Sequence, residues 1–186
     1  PAPMSEPAPA RAASRQDPSI RVRPLQPGDP IPAITALLHR AYAGQVAMGL
    51  KPLAARQDDD VTRRRCASGE CFVAVESTPP AGERVVGVII LNEQEPDAGP
   101  EWFSRPGVIS FSQLAVDPDL QGRGIGQMLL AQVERRAADA GHAELALSMA
   151  EPDDALRLFY QRRGYRIVAT FKWPYTNYTS LIMSKR

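Results

Sequence analysis

The stretch that decides the reading is Gln113-Leu-Ala-Val-Asp-Pro-Asp-Leu-Gln-Gly-Arg-Gly-Ile-Gly126. An apolar strand pattern ends at Val116, Asp117-Pro118 breaks it, and Gly122, Gly124 and Gly126 lead straight into the clearest helical pattern of the chain. Glycines let backbone N–H groups converge without interference from a Cβ. A helix N-terminus adds unpaired donors and the positive end of its dipole. Arg123 adds a cation. A loop so built suits a phosphate or pyrophosphate; the plain alternative is a tight strand-to-helix turn in which glycine serves geometry alone. Among phosphate-loop patterns, G-x-G-x-x-G fails, because its third glycine falls on Gln127 or Leu129 when counted from Gly122 or Gly124. A Walker A loop fails for want of Gly-Lys-Ser/Thr. The pattern Gln/Arg-x-x-Gly-x-Gly/Ala fits from Gln121 through Gly124 to Gly126.

Downstream, the spacing predicts a helix over 124–140. Ile125, Met128, Leu129, Val133, Ala137 and Ala140 share a face, Arg135, Arg136 and Asp139 lie off it, and Gly141 stops it. Upstream, 108–116 reads as a strand. Apolar runs predict further strands over 20–25, 71–76, 85–91, 144–149, 166–171 and 178–184, with a Pro-Pro-Ala-Gly turn making a hairpin of the second and third. Helices are expected over 31–43, 57–68 and 153–163. In the second of these, Asp58, Asp59 and Asp60 fill the first turn and arginines follow, as a helix dipole favours. Residues 44–56 read as a loop. The order β-α-α-β-β-β-α-β-α-β-β describes an α/β chain of the α+β kind, a mixed seven-stranded sheet with about four helices on its faces.

The 186 residues are 44% apolar and 23% charged, which allows a sizeable core in one domain. Lys plus Arg (22) against Asp plus Glu (21) leaves +1, an argument against a general nucleic-acid binder with its concentrated basic surface. No window approaches the roughly 18 apolar residues of a transmembrane helix. The first residues hold no continuous apolar run of a secretory signal, so a cytoplasmic protein without a membrane partner is expected. Cys66 and Cys71 lie too close together to staple much and lack the neighbouring His or Cys pairs of a zinc site. They read as two reduced, buried thiols, and no metal is expected. Eight of the 18 prolines fall in the first 30 residues, and residues 1–18 carry Met4 as their one large apolar side chain. That segment cannot bury enough surface to offset its ordering entropy. A disordered tail over 1–18 and a folded domain over 19–186 are expected.

Leu114-Ala-Val-Asp-Pro118 with Gln121-Gly-Arg-Gly-Ile-Gly126, and further on Phe159-Tyr160-Gln-Arg-Arg-Gly164-Tyr165, resemble motifs A and B of the GNAT superfamily of acyl-CoA-dependent N-acetyltransferases. The resemblance covers about residues 19–186. It implies a mostly antiparallel sheet splayed between its fourth and fifth strands, here 108–116 and 144–149. It also implies acetyl-CoA as co-substrate. The pyrophosphate would rest on the backbone of Gln121, Gly122, Arg123, Gly124, Ile125 and Gly126, and the pantetheine arm would pair like a strand with Leu114, Ala115 and Val116. An N–H at Val116 would polarise the thioester carbonyl. Tyr160, four residues before Gly164, matches the family tyrosine that protonates the departing thiolate. A phenol of pKa about 10 can donate to the anion of a thiol of pKa about 8.5. Two positions depart from the family pattern. Asp153 stands where many members carry Asn among their cofactor contacts; it can cap a helix and accept a hydrogen bond, but not donate one at neutral pH. Ser110 stands where histone-type members carry a general-base Glu.

The implied reaction is acetyl transfer to a primary amine, of a small molecule or a peptide, by direct attack in a ternary complex. The protein would work as a monomer or homodimer. No cysteine lies near the motifs to carry an acyl-enzyme. The alternative is a non-catalytic acyl-CoA-binding sensor. An alkyl amine of pKa about 10.4 is mostly protonated at pH 7, so deprotonation matters. Glu93, Glu95 and Glu151 are carboxylates for that role or for a solvated surface, with His39 and His142 less suited. In the family, the loop after the first helix and the loop before the last strand flank the acceptor, here 42–56 and 171–178. The latter carries Trp173, Tyr175 and Tyr178 in a chain with only 6% aromatics, a rim for an ammonium, for a flat apolar body, or for packing alone.

Overall fold

A computed structural model describes residues 17–94 and 99–186. Residues 1–16 of the expected tail, and Glu95, lie outside the described residues. The chain runs β1 (Ile20–Pro24), α1 (Ile31–Ala41), α2 (Ala43–Ala47), α3 (Asp59–Ser68), β2 (Glu70–Thr78), β3 (Gly82–Leu91), β4 (Val108–Val116), α4 (Ile125–Asp139), β5 (Glu144–Ala150), α5 (Asp154–Gln161), β6 (Arg166–Phe171) and β7 (Ser180–Lys185). The strands form one sheet in the order β1-β2-β3-β4-β5-β7-β6, antiparallel except where β4 meets β5.

The expected elements form with small shifts at their ends, and one region differs. Residues 44–56 are not all loop: they hold α2 and a 3-10 turn at Leu53–Ala55. Five residues of helix are too few to display a face, and Val46 and Met48 stay half exposed, so no apolar period announces α2. Ala140, expected on the buried face of α4, is exposed beyond its last turn.

Period-two strands bury both faces. On one, α4 lays Ile125, Leu129, Leu130 and Val133 against Phe72, Ala74, Ile89, Leu91, Ile109 and Phe111. On the other, α1 and α3 bring Ile34, Leu37, Leu38 and Cys66 against Val73, Val75, Val88, Ile90 and Ala115. Cys66 and Cys71 are buried free thiols in that second layer. Each fully buried Leu or Ile contributes about 1.5–3 kcal/mol of transfer free energy to the fold.

Two irregularities shape the rest. β4 pairs with β5 only through Val108, Ile109 and Ser110 opposite Glu144, Leu145 and Ala146. Beyond that, β5 stays on β7 while β4 continues without a strand on that edge, which opens a V. The expected splay lies there. β4 also carries a bulge: the register against β3 shifts between Val88 and Ile90, and Gln113 takes a φ of +58°. An extra residue reverses the alternation of a strand. Ile109 and Phe111 therefore face α4, whereas Ala115 faces α1 and α3.

Candidate active site

The glycine loop is conformationally forced. Gly122 (φ +84°) and Gly124 (φ +78°) sit in the left-handed region, where a Cβ is strained. A Cβ on either would meet nothing within 4 Å, so the space above the loop is open. Met128 N–H makes the first bond of the α4 ladder, to the Gly124 carbonyl at 3.0 Å. The N–H groups of Ile125, Gly126 and Gln127 have no backbone partner among the described residues and present the positive end of the helix. The turn before them is pinned by Asp117, whose buried carboxylate accepts from Asp119 N–H at 3.0 Å and pairs with Arg40 at 3.1 Å.

This loop lines a cavity of about 640 Å³ together with Leu114, Ala115 and Val116 of β4 and with Asp153 and Leu156 at the start of α5. Because Asp117 N–H bonds to Val86 on β3 at 2.8 Å, the alternation of the strand turns the backbone of Val116 to the opposite edge, toward the V. Gln121, Gly122, Gly124, Ile125 and Gly126 also line the cavity. Arg123 does not: its guanidinium lies 3.6 Å from both Asp17 and Glu76. A cation that sequence reasoning missed stands in the wall instead. Arg163 lies over the Phe159 ring at 3.6 Å and donates to the Phe159 carbonyl at 2.6 Å. Asp153 accepts from Leu156 N–H at 3.1 Å, capping α5, and from the Gln45 amide at 3.0 Å.

A second cavity occupies the V itself, between Ser110, Phe111, Ser112 and Leu114 of β4 and Leu147, Ser148 and Met149 of β5. Tyr42, Gln45, Leu114 and Leu156 line both cavities, so the two meet beside the bulge. At that junction the Tyr42 hydroxyl donates to the Leu114 carbonyl at 3.2 Å. Loss of hydration pushes the Tyr42 phenol up to about 12, against the pull of the nearby Arg65 cation.

The side of this cavity nearest α3 is polar. Glu93, with its side chain 5% exposed, takes a two-pronged ion pair from Arg65 and a hydrogen bond from the Ser112 hydroxyl. Arg65 donates to Gln57 at 3.0 Å, and the Gln113 amide oxygen, turned toward the guanidinium, accepts from its Nε at 2.9 Å. The strained residue of the bulge is thus anchored by its own side chain. Of the carboxylates considered for a base, Glu93 edges the cavity; Glu151 is exposed outside it. His39 has its Nε2 2.7 Å from the Gln57 carbonyl, and neither it nor His142 lines the cavity.

Tyr160 lines this second cavity rather than the first. It is 4% exposed and held by Phe159, Tyr165 and Phe111 at ring separations of 5.3, 5.7 and 6.0 Å. Its hydroxyl has no hydrogen-bond partner among the described residues, and burial holds the phenol well above its usual range, Tyr42 and Asp153 adding to the shift. Trp173, Tyr175 and Tyr178 all line the same cavity. Trp173 Nε1 donates to the Ser148 hydroxyl at 2.9 Å, which fixes the ring against β5, one arm of the V.

Among the described residues, no helix is long and apolar enough to cross a membrane, and no group of His, Cys, Asp or Glu is arranged to hold a metal ion. A comparison with curated proteins gives no match. Solved structures share the fold. A GNAT family acetyltransferase from Elizabethkingia anophelis with acetyl-CoA bound is 18% identical, with a TM-score of 0.61 over 91% of this chain and 99% of that one. The PaiA N-acetyltransferase of Thermoplasma acidophilum, in complex with coenzyme A, is 16% identical, with a TM-score of 0.63 over 90% and 99%. The ribosomal-protein-S18-alanine N-acetyltransferase of Escherichia coli is 18% identical, with a TM-score of 0.62 over 89% and 92%. The family model for the acetyltransferase (GNAT) domain matches residues 67–167, from the end of α3 into β6 and more than half of the chain. By that match, which takes in the bulged strand, the glycine loop and Tyr160, the chain belongs to the GNAT acetyltransferase family.

Proposed function

We propose that the protein moves an acetyl group from acetyl-CoA to a primary amine by direct attack in a ternary complex. The observation that carries this reading is the meeting of two cavities at the β4 bulge, one floored by unpaired backbone donors and the other by side chains. Acetyl-CoA supplies an activated thioester. The open space above Gly122 and Gly124, with the free N–H groups that follow, fits a pyrophosphate. The exposed edge of Leu114 and Val116 offers strand-like hydrogen bonds to an extended amide arm, and Val116 N–H is aimed where a thioester oxygen would gain negative charge.

The amine approaches through the second cavity and attacks the carbonyl carbon as the carbon–sulfur bond breaks. Tyr160 gives its hydroxyl proton to the departing sulfur. Burial keeps that proton in place until the anion forms, and a thiolate in the same dry site is itself desolvated and binds a proton more strongly. Glu93 is the carboxylate placed to accept the proton that the ammonium must lose. A non-catalytic acyl-CoA sensor is the second reading, favoured by the engagement of Glu93 with Arg65 and Ser112. Two measurements decide. Calorimetric titration with CoA should show binding, and a panel of primary amines should release free thiol from acetyl-CoA. Binding without release from any amine would leave the sensor; no binding would remove both.

A further inference from the structure

Resting on that reading, we infer that the acceptor is a small primary amine borne on a single aromatic ring, taken into a chamber closed to extended peptides. Three independent features lead there. The first is the mouth. The two loops that wall the second cavity, residues 48–57 and 172–179, are tied together across more than a hundred residues of sequence. Lys51 N–H donates to the Asn177 side-chain oxygen at 2.8 Å, the Asn177 amide donates to the Gly49 carbonyl at 3.0 Å, and Arg56 donates to the Tyr175 carbonyl. A chain lying between these two loops would have to break this bridge; a small molecule need not.

The second feature is the wall. Seven of the chain's twelve aromatic residues (five Phe, five Tyr, two Trp) line this one cavity. Trp173 and Tyr175 stack at 5.7 Å with their planes 24° apart, and the Ser148 bond holds the indole in place. Such walls favour a flat ring by stacked and edge contacts, each worth a measurable increment beyond area alone. The third is size and charge. The cavity volume is about 150 Å³, the scale of an apolar cavity that takes up one benzene ring. Among the described residues, Glu93 is the one carboxylate lining the chamber and it is already paired with Arg65, a poor match for a polyamine.

The test compares 2-phenylethylamine, spermidine and a pentapeptide with a central lysine and blocked ends, by thiol release from acetyl-CoA. The phenylethylamine kcat/KM should exceed the other two by about 100-fold or more, the discrimination available when an apolar pocket is filled or left empty. Equal or faster reaction of the peptide or of spermidine would overturn the inference. Opening the bridge with Arg56→Ala and Asn177→Ala together should move the peptide-to-phenylethylamine ratio upward by about tenfold or more; an unchanged ratio would show that the mouth does not select. If no amine reacts at all, acetyl transfer fails as the function, and the chamber is judged by binding alone. Quenching of tryptophan fluorescence by 2-phenylethylamine, lost in Trp173→Phe, would uphold the ring site, and absence of quenching would remove it.

Discussion

The two cavities that meet at Leu114 are built from different materials. The side proposed for the cofactor is made of backbone: glycines at positive φ, N–H groups at the start of α4 without a backbone partner among the described residues, and the free edge of β4. The side proposed for the acceptor is made of side chains drawn from residue 42 to residue 180, aromatic on its walls and ionic at one end. Backbone binding tolerates almost any flanking side chain but depends on a few conformations. Side-chain binding tolerates shifts in the loops but depends on identities far apart in sequence. The difference says where each half will break.

The acceptor side should break hardest at its ion pair. Glu93→Gln removes the buried carboxylate that pairs with the Arg65 guanidinium, itself 16% exposed. Removing one member of a buried pair costs about 3–5 kcal/mol, and in a protein of this size each kcal/mol lowers Tm by about 2–4 °C. Thermal unfolding should therefore show a drop of about 10 °C. An unchanged Tm would mean that the pair contributes nothing to the fold.

On the cofactor side the sensitive point is conformational. Gly124→Val places a β-branched residue at φ +78°, a strain of about 1–3 kcal/mol. If the loop relaxes to relieve it, the N–H groups no longer converge, and CoA affinity should fall by about 10- to 100-fold with the α4 core intact. Calorimetry measures the loss; wild-type affinity would show that the loop does not hold the cofactor.

The same division explains what could be read from sequence. A run of fourteen residues from Gln113 to Gly126 spells out strand, turn, glycine loop and helix start, because backbone chemistry is coded locally. The element order was legible in the apolar periods along the chain, and the splay was implied by the family resemblance that this run carries together with residues 159–165. The β4 bulge was not legible, since Gln113 is no glycine and its positive φ is held by tertiary bonds to Arg65. Nor were Tyr42, Gln45 or Arg65, whose roles arise only when α1, α2 and α3 fold over the V. The fate of Arg123 was equally hidden: its partners Asp17 and Glu76 lie on distant segments. Trp173, Tyr175 and Tyr178 stood out by density, but density alone does not distinguish a chamber from ordinary packing.

Smaller effects sharpen the boundary between the halves. Asp153 lines the first cavity, where it caps α5 and accepts from Gln45, a residue that lines both. Asp153→Ala should cost about 1 kcal/mol through the lost cap, whereas Asp153→Asn keeps it; a urea midpoint equal for both variants would contradict the capping role.

Smaller still is the alkaline response of Tyr42. Its phenol stands near 12 in the fold, against about 10 when unfolded, so the neutral form favours the native state. That contribution is complete below about pH 10 and drains away as pH rises toward 12. The urea midpoint should decline across that window, and Tyr42→Phe should decline less steeply. Parallel curves for the two proteins would assign the loss to other groups.

The central claim is that the chemistry happens where the cavities meet, with Tyr160 as the acid. Tyr160→Phe removes one hydroxyl that has no hydrogen-bond partner among the described residues, so packing and CoA affinity should hardly change. With acetyl-CoA and the best amine, kcat should fall by about 100-fold or more, with little change in KM. The fall should shrink when the acyl donor carries a more acidic leaving thiol, which departs without help. Full activity in the Phe variant, or an equal fall with both donors, would contradict the assignment.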